Sequence, residues 1–220
     1  MGNNEVGKYL KLIFEEIPRI PMNNKTINYY NKHAKSFIQT TKSADFTNIQ
    51  NKFLSYLPPE ASILDFGCGS GRDTKYFLKQ NYKVTAIDGS EAICKEASKY
   101  IGIKVKQMLF EQFDDQDSYD GIWACASILH LTKKDLLSVF HKMNKALKEN
   151  GVIYTSFKYG KFEGERNGRY FTDFTEDTFN EFILQIPQLQ IKETWITGDV
   201  REGRGDERWL NILIYKDKIS

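Results

Sequence analysis

The chain has 220 residues, 40% of them hydrophobic and 27% charged, with a net charge of +2. That length and balance suit one α/β domain with a sizeable core, and they exclude a low-complexity or disordered chain. The charge is too mild to mark a nucleic-acid partner, and no apolar run approaches the roughly 18–20 residues that span a bilayer.

In chain order, "MGNNEVGKYLKLIFEEIPRIP" carries charges through its apolar part and has no small-residue cleavage site, which excludes a secretory signal. Val6 stands where a myristoylation signal prefers Ser or Thr. Residues 1–55 read as a helical extension that includes "NYYNKHAKSFIQ" (28–39), laid against the sheet edge or over the ligand. There Tyr29, Tyr30 and Phe37 fit either a lid, with Tyr29 on cofactor and Tyr30 on substrate, or a core-facing helix. Lysines in 32–42 read as a solvated face. From 56 to 157 short apolar runs alternate with amphipathic stretches. The expected strands are 62–66, 83–88, 103–108, 119–127 and 151–157; the expected helices are 72–80, 90–101 and 133–150, the last stopped at Gly151. A polar stretch bearing Gly and Arg follows Tyr159, then a helix at 176–185. Strands at 189–196 and 207–216 are joined by a hairpin-type connector, so the last strand should run antiparallel. This rhythm predicts an α/β, Rossmann-like, doubly wound sheet over 56–220, with ligands at the carboxyl ends of its strands. Cys68, Cys94 and Cys125 are odd in number and widely spaced. They read as free thiols of a reducing cytoplasm, with no disulfide framework and no metal site.

"ILDFGCGSG" (63–71) is a strand breaking into a glycine turn before a helix, the corner where backbone N–H groups face a nucleotide. The dinucleotide pattern needs a small residue where Arg72 or Thr74 stands, and no Gly-Lys-Ser/Thr follows. Asp65 discriminates further. A carboxylate beside the loop would repel a pyrophosphate by a few kcal/mol at about 4 Å, and would attract a cofactor bearing an ammonium group and a positive sulfur. Asp88, ending the next strand, can accept both hydroxyls of a ribose or cap a helix, although Ser90 is the better cap.

The ordered set "ILDFGCGSGR", "VTAIDGS", "FDDQDSYDGIWACASILHL" and "LKENGVIYTSFK" resembles the class I S-adenosylmethionine-dependent methyltransferases. Among these it is most similar to the small bacterial tellurite-resistance-type methyltransferases. The resemblance covers roughly 28–157. It implies a seven-stranded sheet, mostly parallel with an antiparallel last strand, and S-adenosylmethionine as cofactor. By position it implies that Gly67 and Gly69 let the backbone approach the methionine part, with Cys68 and Arg72 also at the cofactor, that Asp65 orients the loop and the amino group directly or through water, and that Asp88 holds the ribose with Gly89 leaving room beside it. Met108 and Leu109 stand where the family often has an adenine-binding aspartate, which implies apolar sandwiching. Cys125 should pass beneath the sulfonium as a small packing residue.

His130, just beyond the fourth strand, reads as a general base or substrate contact, or as a helix-start histidine bonded to backbone. Five arginines (Arg166, Arg169, Arg201, Arg204 and Arg208) cluster after Lys161, where few lysines remain. Either they form an Arg-lined cap selecting a small anionic substrate, with Tyr30, Arg166, Arg169 and Arg201 contacting it, or they pair with Glu163, Glu165, Asp173, Asp199, Glu202, Asp206 and Glu207. The resulting expectation is in-line methyl transfer to a small-molecule acceptor, without nucleic-acid or membrane partners. A noncatalytic S-adenosylmethionine-binding protein and a disfavoured nicotinamide oxidoreductase are the alternatives.

Overall fold

The computed structural model describes residues 24–201 and 203–217. The N-terminal stretch read for signals, Arg19, Glu202 and the last three residues lie outside that range. Among the described residues nine strands occur: β1 (Ser62–Phe66), β2 (Lys83–Asp88), β3 (Lys106–Gln107), β4 (Tyr119–Ala124), β5 (Leu147–Lys158), β6 (Glu163–Arg166), β7 (Arg169–Thr172), β8 (Leu189–Gly198) and β9 (Arg208–Lys216). The described residues also form six α-helices: α1 (Asn24–Thr41), α2 (Thr47–Leu54), α3 (Arg72–Lys79), α4 (Glu91–Ile101), α5 (Lys133–Ala146) and α6 (Glu176–Ile183). Seven strands form one sheet in the order β3-β2-β1-β4-β5-β9-β8, and β6 and β7 form a separate hairpin. The first five are parallel, and β9 runs antiparallel to both β5 and β8. This is the doubly wound α/β architecture expected, with the antiparallel last strand inserted between its neighbours.

Alternation along the central strands feeds both faces of the sheet. Leu64, Phe66, Ile122, Ile153 and Phe157 pack toward α5 and α6. Ile63, Trp123, Val152 and Tyr154 pack toward Phe53 of α2 and Phe77 of α3. On α5 the buried stripe is Leu136, Val139, Phe140, Met143 and Ala146. Each such large side chain removed from water contributes about 1.5–3 kcal/mol. Caps set the starts of α4 and α5: Ser90 Oγ accepts from Ile93 N–H, and Thr132 Oγ1 accepts from Asp135 N–H.

Four boundaries differ from expectation. Helix α5 stops at Ala146, four residues early, because Leu147 pairs with Tyr119 and Asn150 takes a left-handed φ of 62°, the role assigned to Gly151. Strand β3 has only two residues, since the Ser98 hydroxyl takes the Val105 N–H at 2.9 Å in place of a strand partner. Strand β4 ends at Ala124; Ala126 turns to a φ of 50° and its N–H donates to Ser156 Oγ. The polar stretch after Tyr159 is the β6–β7 hairpin, turned by Asn167 and Gly168 at φ 50° and 74°. "NG" between strand-like flanks is the strongest local hairpin signal, and the sequence reading passed over it.

Among the described residues no helix is long and apolar enough to cross a membrane.

Candidate active site

The carboxyl ends of β1, β2, β4 and β5 open into one cavity, covered by α1, the β6–β7 hairpin and the β8–β9 connector. Its first wall is backbone. Gly67 has φ +84°, and a Cβ there would sit 2.5 Å from Ser127 Cβ, so only glycine lets the loop pass. Gly71, at φ +77°, brings α3 against Ile101 of α4 and so does the close-packing work sought at Arg72 and Thr74. Asp88 accepts the Gly69 N–H at 3.0 Å through one oxygen and the Ser90 N–H at 2.9 Å through the other. Burial pushes its carboxyl up to about 6 against those N–H bonds. Ser90, not Asp88, caps the following helix, which leaves Asp88 lining the cavity with Gly67, Cys68, Gly69, Gly89, Met108 and Leu109.

Asp65 does not line the cavity. It is buried under the loop, accepts the Thr74 hydroxyl at 2.5 Å, and is pushed well up by burial and by Asp73 nearby. Its influence on a bound group therefore runs through the loop rather than through direct contact. Asp73, unremarked in the sequence, is the hub: it accepts from Gln50 at 2.6 Å, from Trp123 Nε1 at 2.9 Å, and from both Nε and Nη2 of Arg72. Arg72 lines the cavity and lies over the Phe46 ring at 3.7 Å. Cys125 lines it too; burial pushes its thiol up to about 12, which makes it a packing residue.

The remaining wall joins distant segments. His130 Nε2 lies 2.9 Å from Tyr30 Oη, and its Nδ1 lies 2.6 Å from the Tyr170 carbonyl. Burial drives the imidazole down to about 4, so the ring is neutral near pH 7. The carbonyl can only accept, so Nδ1 carries the proton and Tyr30 donates to Nε2. Arg169 Nη1 donates to Tyr30 Oη at 3.3 Å. Tyr30 also stacks edge-on against Phe37. Tyr29 and Arg166 lie outside the cavity wall: Tyr29 packs on Arg169, and Arg166 pairs with Asp173 at 2.5 Å. Arg201 lines the wall but grips Asp199 with Nε and Nη2. Burial would raise Asp199, yet Arg201 and the Trp209 N–H hold it at about 2.

Sequence reasoning missed Phe46, Lys158 and Trp209, all in the wall. Lys158 carried a usable signal, being the first charge at the carboxyl end of the apolar run "GVIYTSF". Trp209 is brought in by pairing opposite Thr197 across the β8–β9 ladder, and Phe46 by packing under Arg72.

The residues present fit S-adenosylmethionine: a glycine-cleared loop, a carboxylate with both oxygens oriented by N–H groups at the end of β2, and an apolar edge at Met108 and Leu109. Residues 63–151 match a family model described as a methyltransferase domain. An uncharacterized methyltransferase of Anoxybacillus flavithermus is 27% identical over 137 residues, 58% of this chain and 65% of that protein. Human N-terminal Xaa-Pro-Lys N-methyltransferase 1 is 33% identical over 98 residues, 41% of this chain and 44% of that protein. The chain thus spans less than two thirds of the length of either relative. Burkholderia thailandensis 1,6-didemethyltoxoflavin-N1-methyltransferase, solved with 1,6-didemethyltoxoflavin and S-adenosylhomocysteine bound, superposes with a TM-score of 0.69 at 18% identity, covering 96% of this chain and 90% of that one. The fold is that of the superposed methyltransferase, and the match places a methyltransferase-like segment at its centre.

Proposed function

We propose that the protein transfers a methyl group from S-adenosylmethionine to a small-molecule acceptor. The observation that carries this reading is the single cavity that places the Gly67–Gly69–Asp88 wall and the Tyr30–His130–Arg169 wall on the same space. When bound, S-adenosylmethionine supplies a methyl group already activated by its positive sulfur. The chain's own contribution is orientation: the loop N–H groups and Asp88 fix one partner, and α1 and the hairpin confine the other. Holding two reactants in near-attack geometry is worth about 7–11 kcal/mol without acid or base. Both ring nitrogens of His130 are engaged, so in this reading it positions Tyr30 rather than serving as a free base.

A covered cavity supports a small acceptor over a macromolecular one. The Burkholderia neighbour, whose fold spans nearly the whole chain, holds a small heterocycle, whereas the human relative is named for protein N-termini. Within the class we place the protein with the tellurite-resistance-type enzymes on motif order. We assign residues 1–55 as extension and lid over 56–220, and the cytoplasm as compartment on its free cysteines.

The test is formation of S-adenosylhomocysteine from S-adenosylmethionine with the low-molecular-mass and the macromolecular fractions of a cell extract. Turnover with the first is expected. Turnover with the second alone overturns the acceptor class, and cofactor binding with turnover in neither favours the noncatalytic alternative.

A further inference from the structure

The cations that line the cavity are not equivalent. Arg72 is answered by Asp73 at 2.7 Å, Arg201 by Asp199 at 2.5 Å, Arg204 by Glu207 at 3.6 Å, and Lys158 by Glu207 and by Asp199 at 3.8 Å. Arg169 differs. The acids of its own hairpin region are taken by other cations: Glu163 by Lys133, Glu165 by Lys25, and Asp173 by Arg166. Among the described residues no carboxylate lies within salt-bridge distance of Arg169, and its buried Nε–H has no acceptor. An unsatisfied buried donor is costly, more so on a charged group.

The surroundings hold this guanidinium in place. It lies 4.6 Å from the Tyr29 ring centroid, 5.0 Å from Phe171 and 5.8 Å from Tyr30. Nη1 is fixed on Tyr30 Oη, whose own proton goes to His130. The Tyr170 carbonyl accepts from His130 Nδ1 rather than from this guanidinium. A rigid arginine in an aromatic frame, with no carboxylate partner among the described residues, is arranged for a planar oxyanion delivered from the cavity.

We propose that Arg169 is the anion anchor of the acceptor site, and that the acceptor is a flat, apolar-bodied molecule carrying a carboxylate. The inference rests on the methyl-transfer reading and deepens it. A carboxylate could also come from the methionine part of the cofactor, so the test separates the two sources.

Purified wild type, Arg169→Gln and Arg169→Lys are each titrated calorimetrically with S-adenosylhomocysteine. The saturated proteins are then titrated with benzoate and, as the uncharged isostere, benzamide. The expected result is equal affinity for S-adenosylhomocysteine in all three proteins and a clear preference of wild type for benzoate over benzamide. Benzoate should weaken roughly 10-fold or more in Arg169→Gln, as for loss of a charge-assisted hydrogen-bonded pair, and be partly retained in Arg169→Lys. No benzoate binding to wild type, equal binding of benzoate and benzamide, or benzoate binding that survives Arg169→Gln overturns the proposal. A selective loss of S-adenosylhomocysteine binding in Arg169→Gln, with circular dichroism unchanged, also overturns it and gives the arginine to the cofactor. Failure of wild type to bind S-adenosylhomocysteine instead refutes the reading on which the inference rests, before benzoate is added.

Discussion

The two walls of the cavity are built in different ways. The wall running from Gly67 through Asp88 to Cys125 is made of strand ends and tight turns, each set within a few residues of sequence and fastened by backbone N–H groups. The opposite wall draws Tyr30 from α1, His130 from the turn after β4, Arg169 from a hairpin and Arg201 from a connector. Side-chain bonds such as Tyr30–His130, and Tyr170 N–H to Thr26 Oγ1 at 3.2 Å, bind it together. A wall of the first kind presents fixed donors to an invariant cofactor. A wall of the second kind can change its ligand by exchanging a few side chains, which suits the acceptor side proposed above.

If the first wall is rigid because of its hub, removing the hub should cost most. Asp73→Ala strips Arg72 of its carboxylate and leaves the donors of Gln50 and Trp123 unpaired. A destabilisation of about 3–5 kcal/mol by urea unfolding is expected. A loss below about 1 kcal/mol would show the walls to be equally deformable.

A second contrast is in pH. Asp88 has its carboxyl raised by burial to about 6, and a ribose hydroxyl needs the ionised form as acceptor. Affinity for S-adenosylhomocysteine should be level above pH 6 and fall by up to about tenfold per unit below it. The sign for folding is opposite. A carboxyl whose folded pKa is raised favours the folded state at low pH, and that contribution is lost as pH rises through about 6. His130, depressed to about 4, stays neutral over most of this range, and an NMR titration of its ring should show a midpoint near 4.

The smallest effect separates the walls most cleanly. Gly168→Ala places a Cβ at φ +74° in the hairpin turn and should cost about 1 kcal/mol in stability. It should loosen the Arg169 wall while leaving S-adenosylhomocysteine affinity unchanged; a change in that affinity would mean the walls are coupled.

The same division governs what was legible in the sequence. The succession of strands and helices, the antiparallel last strand, the glycine turn and Asp88 follow from local patterns. Those patterns encode periodicity and turn chemistry directly. Asp65 was read as facing the ligand because sequence shows a carboxylate near the loop but not the Thr74 hydroxyl that holds it underneath. The pairing of Arg166 with Asp173 and of Arg201 with Asp199 was one of the two readings the sequence offered, whereas the isolation of Arg169 depends on hairpin register and on Lys25, which lies 140 residues from its partner Glu165. Phe46 and Trp209 carry no periodic signal and reach the cavity only through tertiary packing.

The most direct measurement is calorimetric titration of S-adenosylhomocysteine into the wild-type protein and the Asp88→Ala variant, with NADH as control. Micromolar binding, lost by roughly 100-fold in the variant with its two ribose acceptors gone, and no NADH binding are predicted. Preference for NADH, or binding indifferent to Asp88, would contradict the assignment of the cofactor wall.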